Sequence, residues 1–208
     1  MVDWLIVWGV AQAAGLVFKP ILEDLAKESA KDYAKDFFKD CLKKVVRLPE
    51  PDLQKEAYGK ALKELLKLIQ EELENAGYQD AQIKQFTQPL KQWIQQPDVA
   101  TELGGAFEAD CRAIATSQLA KTWKDLNLPY LPDDFDWDLI GKLYVRAVKK
   151  IIQDSDTLRP IFSAQAQDAT AAGVQELVGI APDFNLRQYA EGLREEYGAL
   201  KLDSLDTT

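Results

Sequence analysis

The sequence predicts an all-α protein, a single helical domain of about eight or nine helices packed around an apolar N-terminal helix. Three observations carry that expectation. No run of alternating β-branched residues occurs, and Val and Ile recur instead at helical spacing. Strong helix-stop and helix-start signals punctuate the chain, among them Gly77, Pro97, Gly104-Gly105 and Gly198. Finally, residues 4–18, WLIVWGVAQAAGLVF, carry one polar side chain, Gln12, among fifteen. A helix apolar on all sides must be covered on all sides, by protein or by lipid. Trp4, Leu5, Trp8 and Phe18 are therefore candidate core residues. Gly9 and Ala13, and likewise Ala11 and Gly15, place small residues four apart, which lets another helix backbone approach closely.

Lys19-Pro20 should end or kink that helix, because proline lacks the N–H and restricts the residue before it. A second helix is expected from about Ile21 to Arg47. It contains a four-residue repeat, LAKE, SAKD, YAKD, FFKD, CLKK. Each acid stands three residues before a lysine, and such exposed pairs add about 0.2–0.5 kcal/mol each. A period of four drifts by about 40° per repeat on a helix of 3.6 residues per turn. One straight partner cannot follow that row. The alternating charges describe a solvated face. After the stiff break Leu48-Pro49-Glu50-Pro51, a third helix is expected from Leu53 to Ala76. Its apolar face is Leu53, Ala57, Ala61, Leu62, Leu65, Leu66, Ile69 and Leu73, and Gly77 stops it.

From Gln79 to Gln96, Pro89 divides a weaker pattern into two short helices, and Pro97-Asp98 can start another short turn. Residues 106–126 read as one strong helix, with Phe107, Cys111, Ile114, Leu119, Trp123 and Leu126 on one side. The next stretch, LNLPYLPDDFDWD, is apolar for a loop and is expected to be clamped onto the body. Trp137 to Ile152 is the next helix. Asp156 is expected to cap a helix over 157–178, and Asn185 or Asp183 a last one over 186–197. The end, ALKLDSLDTT, has no helical pattern.

Composition excludes several functions. The net charge is −9 over 208 residues, which argues against wide nucleic-acid contact, since that needs clustered Lys and Arg. Cys41 and Cys111 form no CxxC motif and read as buried free thiols in a reducing compartment. No secretory signal is present, so a cytoplasmic location is expected. There is no histidine, which removes Ser-His-Asp and Cys-His pairs and the HExxH metal site. No GxxxxGK[ST] loop occurs. Asp134-x-Asp136-x-Asp138 imitates the start of a calcium loop, but Leu139 stands where glycine is needed and Val145 where glutamate is needed. Those acids are expected to cap a helix. No catalytic, cofactor or metal site is expected.

The stretches VDWLIVWGVAQAAGLVFKPILEDLAKE, YAKDFFKDCLKK, LPYLPDDFDWDLIGKLYVRAVKKI and YAEGLREEYGALKLDSLD together resemble the N-terminal helical domain of bacterial NACHT NTPases. These are STAND-class switches similar in plan to NOD-like receptors. The resemblance implies a helical domain over 1–198 and a linker over 199–208 leading to a NACHT ATPase that this chain lacks. It further implies an effector or adaptor that acts when the full-length protein oligomerises, in defence against phage. The partners implied are the downstream NACHT domain, other copies of the protein, and a protein target or membrane. The alternative is a membrane-perturbing effector that releases helix 4–18. That helix would be about 22 Å long, against a hydrocarbon core of about 30 Å.

Overall fold

The computed structural model describes residues 4–9, 15–27, 51–108, 111–156, 158–160 and 163. Burial is described for these except residues 4, 5, 27 and 51–54. Ala13, Ala11, Cys41, most of the lysine repeat, the expected helices over 157–178 and 186–197, and the 199–208 linker lie largely or wholly outside the described residues. Two compact units divide the chain, 1–166 and 167–208; every described residue belongs to the first.

Among the described residues all regular structure is helical. The α-helices are α1 (Trp4–Val7), α2 (Lys19–Lys27), α3 (Pro51–Asn75), α4 (Asp80–Ile83), α5 (Thr87–Ile94), α6 (Pro97–Gly104), α7 (Thr116–Asp125) and α8 (Trp137–Asp154). Two 3-10 turns, Lys84–Phe86 and Gly105–Phe107, extend α4 and α6.

The long α3 is the axis of the unit. It buries Ala57, Tyr58, Ala61, Leu62, Leu65, Leu66, Ile69 and Leu73. That is two adjacent rows at i and i+4, a stripe wide enough to serve two partners. Its most extensive pairing is with α8, and α2 also packs on it. The α8 helix contributes Ile140, Tyr144, Val145 and Val148 to the core. Fully burying side chains of this size contributes roughly 1.5–3 kcal/mol each. The Lys91 Nζ to Asp24 Oδ2 ion pair, at 3.0 Å, ties α5 to α2.

Helix ends follow local chemistry. Gly77, at φ 85°, ends α3. The Tyr78 N–H donates to Leu73 O at 3.0 Å and the Gly77 N–H to Glu74 O at 2.9 Å, the pattern of a Schellman stop. Asn127, at φ 50°, ends α7 in the same way, with Leu128 N–H to Trp123 O and Asn127 N–H to Lys124 O. Pro97 is the first residue of α6, where its missing N–H costs nothing.

Three expectations are corrected. Residues 4–18 do not form one helix: α1 ends at Val7, and Gly9 and Gly15 take φ of 65° and 89°. Left-handed backbone cannot continue a right-handed helix, so these glycines are turn residues and not a helix-packing row. Residues 106–126 are not one helix either. Phe107 closes a 3-10 turn, Glu108 is extended, and α7 begins only at Thr116. The intervening chain is drawn over α8 at Gly141, where an added Cβ would stand 2.4 Å from Thr116 Cγ2 and 3.4 Å from Ile114 Cγ1. The cap expected of Asp156 is made instead by Ser155, whose Oγ accepts from the Leu158 N–H at 3.2 Å. Asp156 pairs with Arg159 at 2.6 Å.

Candidate functional site

The apolar N-terminal stretch holds the first candidate residues. Trp8 and Phe18 are fully buried, as expected, whereas Ile6 is 69% exposed and Gly15 is exposed. The side chains of Trp4 and Leu5, and all of Ala13, lie outside the described residues. Trp8 lies on α3 at Gly59: a Cβ there would fall 2.1 Å from its Cδ2 and 2.2 Å from its Cε2 and Cγ. Only glycine leaves room for a flat indole on the helix backbone. Tyr58 meets the same ring edge-on at 6.0 Å. The Trp8 Nε1–H is buried with no hydrogen-bond partner among the described residues, a condition that costs about 1–3 kcal/mol.

A second clamp holds the chain beyond Gly15. Gln70, buried on α3, accepts from the Val17 N–H at 2.7 Å and donates to Gly15 O at 3.0 Å and Glu74 Oε1 at 2.7 Å. One amide thus satisfies both polar groups of a turn, as a glutamine with donor and acceptor ends can. Sequence reasoning missed Gly59 and Gln70. The only available signal was a glycine and a glutamine inside an otherwise strong helix pattern.

The second candidate is the apolar loop over 126–136. It is clamped, as its composition implied. The Trp123 Nε1–H donates to Pro129 O at 2.9 Å, fixing the start of the loop to α7. The Asp136 N–H donates to Glu72 Oε1 at 3.0 Å, fixing its end to α3. Asp136 Oδ1 then accepts from the Asp138 and Leu139 N–H groups, both at 2.9 Å, and caps α8. Thr116 Oγ1 donates to Asp138 Oδ1. The capping role expected of this acidic cluster is therefore filled by Asp136.

Beneath the loop lies an aromatic bed. Trp137 stands 5.0 Å from Phe135, 5.3 Å from Trp93 and 6.3 Å from Trp123. The Trp93 Nε1–H is satisfied by Leu119 O at 3.2 Å. Such tilted and edge-on pairs add about 0.5–1.5 kcal/mol each beyond their buried area. On this bed the loop forms an open groove of about 680 Å³, lined by Trp123, Leu128, Leu131, Pro132, Phe135 and Trp137. Tyr130 stands at its rim, 97% exposed. A large aromatic held in water by a pinned loop is what a protein-binding surface uses, because little order is lost on docking.

Among the described residues no group of three or more His, Cys, Asp or Glu side chains is placed to hold a metal ion. Nor is any helix among them long and apolar enough to cross a membrane.

A sequence model of the family described as NACHT N-terminal Helical domain 2 matches residues 25–207. No curated protein and no solved structure matches the chain. The matched span contains Gly59, Gln70 and the whole 126–136 loop, and begins after Trp8 and Phe18.

Proposed function

The chain belongs to the NACHT N-terminal helical domain 2 family, and from that premise we propose that it is the output module of a bacterial NACHT switch, working by protein–protein association and without a catalytic step of its own. The observation that carries this reading is the exposed Tyr130 on a loop pinned at Pro129 and Asp136. Nothing in the fold requires a tyrosine in water there, and exposed aromatics set in rigid, apolar surroundings are typical anchors of protein interfaces. In this reading a downstream NACHT ATPase oligomerises on sensing its trigger, and the clustered modules engage one another and a target in the cytoplasm. Defence against phage is the biological setting that such an architecture suggests, by analogy of plan.

The test is to express the chain fused to an inducible oligomeriser in bacteria. Growth arrest on induction is expected, and it should be lost with Tyr130→Asp while the purified variant melts like the parent. Induction without any cellular effect, or an equal effect from the unclustered chain, would overturn the association reading. Dye leakage from the cells on clustering would point to the membrane instead.

A further inference from the structure

Along α8 the exposed bases are grouped between one exposed acid at either end, Asp138 and Asp154, and further acids stand exposed in the loop before it. Lys142, Arg146, Lys149 and Lys150 are all exposed on α8. Spaced by four, three and one, they lie on one side of the helix, opposite the buried Ile140, Tyr144 and Val148. None of the four makes an ion pair or side-chain hydrogen bond to a described residue. Interaction with the helix macrodipole does not account for them. That effect is confined to the terminal turns, and the last turn of α8 contains no basic residue. In the loop before the same helix, Asp133 is exposed on the rim of the aromatic groove and Asp134 is exposed beside it. Asp136 caps the helix and Asp138 accepts from Thr116, whereas Asp133 and Asp134 do neither and have no partner among the described residues.

We propose that copies of this chain associate through unlike charge, the acidic rim at Asp133 and Asp134 of one copy receiving the basic stripe Lys142, Arg146, Lys149 and Lys150 of the next. The proposal rests on the association reading above and names its surface. Charge complementarity selects the pairing of unlike patches. Setting either patch against itself would put like charge on like, which is costly. Pairing the unlike patches satisfies both, twice over in an antiparallel two-fold dimer or once per contact in a ring or a filament. The groove floor beside the acids, Pro132, Phe135 and Trp137, supplies apolar area, and the half-exposed Leu139 on α8 can contribute to it. Anionic lipid or nucleic acid is the other class of partner for a basic stripe. The net charge of −9 and the exposed Asp138 and Asp154, one turn beyond either end of the stripe, repel both.

The experiment is sedimentation velocity on the 208-residue chain. It compares the parent with Asp133→Lys/Asp134→Lys and with Lys149→Glu/Lys150→Glu, none of whose altered positions is buried. Concentration-dependent association of the parent is expected at low salt. It should weaken about tenfold or more when salt is raised to about 0.5 M, where the screening length falls to a few Å. Each reversed variant alone should be monomeric. A mixture of the two should associate again, because the unchanged acidic rim of the Lys149→Glu/Lys150→Glu variant can meet the unchanged basic stripe of the other. Parent-like association of both variants alone would overturn this surface while leaving association itself intact. A parent that is monomeric at every salt and concentration would overturn both. Salt-sensitive binding of the parent to phosphatidylserine vesicles or to DNA, abolished by Lys149→Glu/Lys150→Glu, would reassign the stripe and overturn the proposal.

Discussion

Gly59→Ala separates the packing of this protein from its helix propensity, because the two act in opposite directions. Position 59 lies in the interior of α3, a helix of 25 residues. On propensity alone, replacing a mid-helix glycine with alanine should stabilise by roughly 0.5–1 kcal/mol. The new Cβ, however, would meet the Trp8 ring at 2.1 Å, far inside van der Waals contact. The obstacle is a rigid ring, fully buried and braced by Tyr58, not the free end of a flexible chain. If the ring shifts and stays inside, overpacking costs about 1–3 kcal/mol. If it is expelled, the loss is comparable to a large aromatic truncation, about 3–5 kcal/mol. Less the propensity gain, the net destabilisation is about 0–2.5 kcal/mol in the first case and about 2–4.5 kcal/mol in the second. For a chain of this size that lowers Tm by about 2–4 °C per kcal/mol. The assay is thermal unfolding by circular dichroism, with tryptophan emission followed in parallel. A red shift in emission at low temperature would report an expelled ring. The control is the same substitution in a Trp8→Ala background, where the space is empty and Gly59→Ala should be neutral or stabilising. A Gly59→Ala variant that melts above the parent would refute the reasoning, since it would mean that no ring lies on this glycine.

Trp8→Phe should cost far less than Trp8→Ala, under about 1.5 kcal/mol against about 3–5, because the smaller ring removes an unsatisfied buried N–H; equal losses in urea unfolding would contradict this. Gln70→Ala should destabilise by roughly 1–3 kcal/mol through the two backbone groups it abandons. Amide exchange at Val17 should rise with it, and an unchanged Val17 exchange rate would show that the clamp does not hold the turn. Asp136→Ala should cost about 0.5–2 kcal/mol as a lost cap, with Asp136→Asn recovering most of it; calorimetric melting of the pair checks the ranking.

How much was legible in the sequence depended on the distance over which each feature is decided. The all-α class, the face and end of α3, the start of α6 at Pro97 and the capping acids before α8 were readable. Each follows from periodicity or from a cap residue acting within one helical turn. The clamped loop was readable too, since apolar residues between two prolines have little choice but to be covered. The N-terminal stretch was not. Its composition required burial but could not say in which conformation, because a buried strap and a buried helix satisfy the same apolar side chains. Its small residues fit a helix-packing row as well as they fit left-handed turns. The choice was made by Gly59, which lies 51 residues from Trp8 in sequence, and by Gln70, which lies 55 and 53 residues from Gly15 and Val17. The split of 106–126 has the same origin. Phe107, Cys111 and Ile114 are spaced for a helix, yet Gly141, on another element, leaves room for Ile114 and Thr116 to pack close against it, and α7 begins only at Thr116. Sequence by itself determined which side chains leave water, since transfer from water is a property of each residue. Only the tertiary structure decided the backbone that carries them there, since that is set by the one partner whose surface leaves room.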